Sequence, residues 1–126
     1  MQMLFQQDVG KQQPEQVRAT FWKAAGEVEP EVRGFAEDLF RVANANQEQI
    51  DELIVANSRH WRLERMSAVD RNLLRMAVGE MLGFKSTPFP IVINEALEIG
   101  RRYSAPESIN FLNGVLDAVA RSLLPK

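Results

Sequence analysis

A chain of 126 residues with 45% hydrophobic and 25% charged residues has enough apolar material to fold as one domain around its own core. Fifteen Lys and Arg against seventeen Asp and Glu leave a net charge of -2, which excludes a bulk polycation and confines any nucleic-acid surface to a local patch. With no Cys there is no disulfide, thiolate metal site or Cys nucleophile, and no apolar run reaches the roughly 18 residues of a membrane span.

In chain order, the pattern is helical throughout. MQMLFQQDV carries apolar Met1, Leu4, Phe5 and Val9 and predicts a short helix ending before Gly10. This start has neither the basic stretch nor the small-residue cleavage site of a secretion signal, and a cytoplasmic location is expected. PEQVRATFWKAAG predicts a helix opened by Pro14 and closed near Gly26, with Val17, Phe21, Ala24 and Ala25 inward. Pro30 opens a longer helix whose stripe is Phe35, Leu39 and Val42, flanked by Val32 and Phe40, and weakened by Asn44 and Asn46. QEQIDELIVANSRHW follows, with Ile50, Leu53, Ile54 and Trp61 inward.

The next segment, SAVDRNLLRMAVGEMLGF, is the clearest. Ser67 can cap it, Asp70 takes the acidic position of a capping box, and Val69, Leu73, Leu74, Met76, Ala77 and Met81 form a broad apolar stripe ending near Gly83. The prolines of STPFP impose a loop, and Pro90 opens PIVINEALEIGRRY, whose Ala96, Leu97 and Ile99 favour a buried helix over a strand. The last helix has Pro106 in its first turn and runs to about Leu124, closed by Pro125. The expectation is an all-α fold of about seven short helices, one domain over 1–126 with helical subdomains at roughly 1–65 and 66–126.

Catalytic chemistry finds no support. His60 is the only histidine, and its place beside Trp61 suits a surface or packing role. Glu95 and Glu98 lie three apart, but no His follows at the spacing of a carboxylate metal site, so they read as a solvated face. There is no phosphate-binding loop, zinc-protease motif or nucleophile elbow. The chain is expected to be no enzyme and to need neither cofactor nor metal.

Two features stand out. Arg59, Arg62, Arg65, Arg71 and Arg75 fall within seventeen residues, and Arg71 and Arg75 share a helix face. Their plain alternative is a solvated flank pairing with Asp70 or Glu64. The other feature is Asn113-Gly114 in the centre of the last helix, where Gly costs about 1 kcal/mol relative to Ala. Either another helix packs tightly there, or a ligand approaches closely beside Phe111.

The segments VDRNLLRMAVGEML and TPFPIVINEALEIGRRYSAPESINFLNGVLDAVA resemble the NusB family of transcription antitermination factors. The matching blocks are Leu74 to Ala77, Glu80 to Leu82, the Pro88–Pro90 loop, Val92 to Ala96, the aromatic turn at Tyr103, and Phe111 to Leu116. MQMLFQQDVG resembles the end of the family's first helix, so the likeness covers nearly the whole chain, weakly over 11–60.

The resemblance implies a NusB-like fold of two small packed helical bundles. It implies binding of boxA-type single-stranded RNA in ribosomal RNA leaders together with NusE, a small-subunit ribosomal protein. With NusA and NusG, such a complex supports RNA polymerase processivity. Carried over, Phe111 stacks on a base, Asn113 holds the local surface, and Gly114 allows close approach. Arg71 and Arg75 contact phosphates, while Phe5, Asp70 and Tyr103 lie near the same surface. Glu107 matches an acidic position linked to antitermination.

Two departures temper this expectation. An Arg-rich segment usually precedes the Gln that is Gln2 here, and Asn110 stands where Lys is common. Two rivals are a helical scaffold that binds protein alone, and the RNA-binding domain of a ribosomal RNA cytosine methyltransferase, which would require a catalytic domain beyond Lys126. Monomer and homodimer both stay open.

Overall fold

The computed structural model describes residues 1–59 and 62–124. Among them are seven α-helices and no strand: α1 (Gln2–Gly10), α2 (Pro14–Ala25), α3 (Pro30–Ala45), α4 (Gln47–Asn57), α5 (Ala68–Gly83), α6 (Phe89–Tyr103) and α7 (Ser108–Leu123). A short 3₁₀ turn, Leu63–Arg65, leads into α5. The positions expected for His60, Trp61 and Pro125 lie outside the described residues.

Local chemistry explains most boundaries. Pro14 and Pro30 occupy first-turn positions of α2 and α3, where a missing N–H leaves no helical bond unmade. The Ser67 hydroxyl accepts from the Asp70 N–H at 3.1 Å and caps α5. α2 ends at Gly26, whose φ of 77° suits a residue without Cβ. At α1 the boundary differs from expectation. Gly10 is the last helical residue, and Lys11 takes the left-handed turn at φ 51°, donating to the Asp8 carbonyl. Asn44 and Asn46 do not break α3 early, because each amide donates to a carbonyl one turn back, to Phe40 and Val42 at 2.9 Å. α6 begins at Phe89, one residue before Pro90, and Pro106 falls in the turn before α7.

α5 is the central element. It packs on α1, α3, α4, α6 and α7, and its Leu73, Leu74, Ala77, Val78 and Met81 are buried. Ile50 and Ile54 of α4, Val92, Ala96 and Leu97 of α6, and Leu112, Val115, Leu116 and Val119 of α7 close the same apolar cluster. The cluster therefore joins residues on both sides of residue 65. Gly100 lets α6 seat closely: a Cβ there would stand 3.2–3.3 Å from side chains of Ile109, Leu112 and Leu73.

The helices at the edge of this core turn differently from their expected stripes. In α2, Trp22 is buried and Ala24 and Ala25 are exposed. In α3, Phe40 and Ala43 are buried, while Phe35 is 47% exposed and lies against Phe84 with ring centroids 5.5 Å apart. Val9 is likewise exposed.

Candidate nucleic-acid interface

α5 starts where three elements converge. Asp70, in its first turn, is only 6% exposed, and its carboxylate accepts from the Ser104 hydroxyl at 2.7 Å. This bond ties α5 to the turn between α6 and α7. Asp70 therefore works as an internal clasp and presents little surface to a ligand.

Arg71 and Arg75 point into the molecule rather than out of it. The Arg71 guanidinium donates to the Asp8 carboxylate of α1 and, at 3.2 Å, to the Met66 carbonyl. Arg75 binds both oxygens of Asp51 on α4, at 2.9 and 3.2 Å, and reaches Asp8 at 3.1 Å. Their side chains are 19% and 15% exposed. The buried Asn72 amide also donates to Asp8, at 2.8 Å. Two carboxylates and two guanidiniums thus lock α1 and α4 to α5. Partial burial alone would raise the Asp8 carboxyl. Hydrogen bonds from Arg71 and Asn72 and the charges of both arginines outweigh it and hold that carboxyl below the usual range. The bond to Asp8 in turn raises the Arg71 guanidinium. The expected partners, Asp70 and Glu64, make none of these hydrogen bonds. Nothing in local spacing points to Asp8, 63 residues away from Arg71.

The remaining candidates divide between two concavities and open surface. Phe5 is half-buried on α1, one turn before Asp8. Tyr103, 52% exposed at the end of α6, lines a 730 Å³ apolar groove with Met1, Phe21, Trp22, Val32 and Ile99. Glu107 precedes α7 and is exposed, as is Asn113 within it, and no described residue hydrogen-bonds to either side chain.

Phe111 and Gly114 share the second concavity, a 430 Å³ pocket between the end of α4 and α7. Asn57, Ser58 and Arg59 form one wall, and Asn110, Phe111 and Gly114 the other. Gly114 is exposed at mid-helix, and a Cβ added there would meet no described residue within 4 Å. Tight helix packing is therefore not the reason for a glycine at this position. An aromatic ring, an open backbone strip and flanking amides are the groups that take a base face and its edges. Among the described residues, no group of three or more carboxylates or histidines gathers in a way that would hold a metal ion. No described helix is long and apolar enough to cross a membrane.

The NusB family model matches residues 1–121. This chain belongs to the NusB family. The transcription antitermination protein NusB of Koribacter versatilis is 58% identical over 123 residues, covering 98% of this chain and 84% of that protein. The structure of T. maritima NusB superposes with a TM-score of 0.86 at 34% identity, covering 98% of this chain and 87% of that one. A structure of the antitermination factors NusB and NusE in complex with double-stranded RNA shares the fold, with a TM-score of 0.85 at 24% identity over 95% of this chain and 89% of that one. The family resemblance and the all-α NusB fold expected from the sequence are both found.

Proposed function

We propose that this NusB-family chain acts in antitermination by binding boxA-type single-stranded RNA of ribosomal RNA leaders together with NusE. Assembled with NusA, NusG and RNA polymerase, the complex keeps the polymerase from terminating early. The observation that carries the RNA contact is the open Gly114 beside Phe111. A helix accepts its poorest non-proline residue at a position where, among the described residues, no atom would meet an added Cβ within 4 Å. The partnership is supported by the NusB and NusE complex with RNA, whose fold this chain shares. Phe111 stacks on a base, the Asn110 amide in the pocket wall reads an edge of it, Asn113 holds the local surface, and the protein supplies no turnover chemistry. Arg71 and Arg75 act here as positioning residues, because their guanidiniums are held by Asp8 and Asp51. Competition between boxA and scrambled RNA, run on the wild type and on Phe111→Ala, tests this reading. A boxA preference that Phe111→Ala abolishes without changing the helical content supports it. Equal affinity for both RNAs in the wild type overturns it.

A second reading is a scaffold that binds protein alone. The internal commitment of Arg71 and Arg75, on a chain of net charge -2, favours it. Its signature is a complex with NusE that gains no RNA affinity.

A further inference from the structure

With Arg71 and Arg75 tied to carboxylates, the pocket at Phe111 needs its cation from elsewhere. One candidate lies in its wall. Arg59 stands two residues beyond the end of α4, is exposed, and lines the same pocket as Phe111 and Gly114. At φ 56° it takes the left-handed turn common just past a helix end, as Lys11 does after α1. No ion pair or hydrogen bond to another described residue engages the Arg59 side chain, whereas Arg33, Arg41, Arg101 and Arg121 each pair with an acid on their own helix.

We propose that Arg59 is the phosphate-binding residue of the α4–α7 pocket. It holds the backbone of the nucleotide whose base lies on Phe111 over the open strip at Gly114. This rests on the RNA reading given above and adds to it the residue that anchors the bound strand. The ligand class is a single-stranded ribonucleotide segment. A pocket of 430 Å³ accommodates one base, and a guanidinium at its rim meets the adjoining phosphate with the fork geometry that suits it. The arrangement separates two tasks. The stacking surface tolerates any base, while the cation fixes where along the strand that base enters.

The test is a salt titration of binding to a short fluorescent single-stranded RNA, for the wild type and three variants. Arg59→Gln removes the charge, Arg59→Lys keeps it, and Arg41→Gln removes an equal charge from α3. Thermal melts check that each variant is folded. Loss of one phosphate contact is expected to lower the slope of log K against log salt by about 0.7 for a single strand. Arg59→Gln should show that decrease with a several-fold loss of affinity. Arg59→Lys should retain the slope, and Arg41→Gln should match the wild type. Repeating Arg59→Gln in a Gly114→Leu background, where the pocket is filled, should give little further loss. Wild-type affinity and slope in Arg59→Gln would overturn the proposal while leaving the RNA reading intact. So would equal losses in Arg59→Gln and Arg41→Gln, which mean bulk charge, or full additivity with Gly114→Leu, which means a contact outside the pocket. A wild type that binds no RNA at any salt would overturn both.

Discussion

Replacing Gly114 by Ala should make the protein more stable and worse at binding RNA. The two directions follow from separate observations. Gly114 lies inside α7 with helical neighbours on both sides, so Ala removes about 1 kcal/mol of helix-forming cost. Among the described residues nothing stands within 4 Å of the added Cβ, so none of them sets a packing penalty against the gain. At about 2.1 cal/mol/K per residue, an unfolding entropy for 126 residues converts that gain into a rise of about 4 °C in Tm. The same methyl projects into the pocket beside Phe111. Crowding of this kind in a packed contact costs about 1–3 kcal/mol, or roughly thirtyfold in affinity at the middle of that range. Calorimetry and RNA titration on one preparation read both effects. A fall in Tm would mean that Gly114 serves packing. A rise in Tm with unchanged RNA affinity would mean that no ligand approaches this strip.

Gly100 provides the opposite sign. Its added Cβ would crowd one side chain of α5 and two of α7 at 3.2–3.3 Å, so Gly100→Ala should lower Tm by several degrees in a thermal melt despite the better helix propensity. Arg75→Ala leaves Asp51 without its bidentate partner and removes a charge from Asp8, and it should cost about 2–3 kcal/mol in urea unfolding, reduced from the fully buried case because these groups are partly exposed. Part of that loss should disappear in acid. Asp8 has a lowered folded pKa, so its stabilising effect is present above the unfolded carboxylate value near 4 and is lost as pH falls through the folded value. Glu80 behaves in reverse. Burial, and then the charge of Glu95, raise its carboxyl, so its ionised form opposes folding as pH rises above the ordinary carboxylate range. Glu80→Gln should raise Tm at pH 7 and lose that advantage near pH 4, whereas a gain independent of pH would remove the electrostatic explanation.

Most of the fold was legible because its signals are local. Pro14 and Pro30 mark starts, Gly26 marks a stop, Ser67 caps α5, and apolar spacing within each helix needs no knowledge of the others. Local signals failed where a neighbour decides. The apolar spacing of α2 admits Ala24 and Ala25 inward, but Trp22 buries far more surface and wins the rotation. Phe35 reads as core and is half exposed, because it lies against Phe84 at the margin of the cluster. The candidate site was legible in composition and not in geometry. Phe111 and Gly114 stand together, as residues three apart on one helix must. Arg71 and Arg75 share their expected face, but it is covered by Asp8 and Asp51, which approach from 63 and 24 residues away. Asp70 meets Ser104 across 34 residues. Arg59 was visible only as one arginine among five. The phosphate contact proposed for it rests on a turn at the end of α4 that places it in the same pocket as α7.

The measurement that bears most directly on the central claim is fluorescence anisotropy of a short boxA RNA titrated with this chain, with and without NusE, at two salt concentrations. Binding should weaken with salt, tighten when NusE is added, and exceed that of a scrambled RNA. Binding of NusE with no boxA affinity at either salt concentration would contradict it and establish the protein-only scaffold instead.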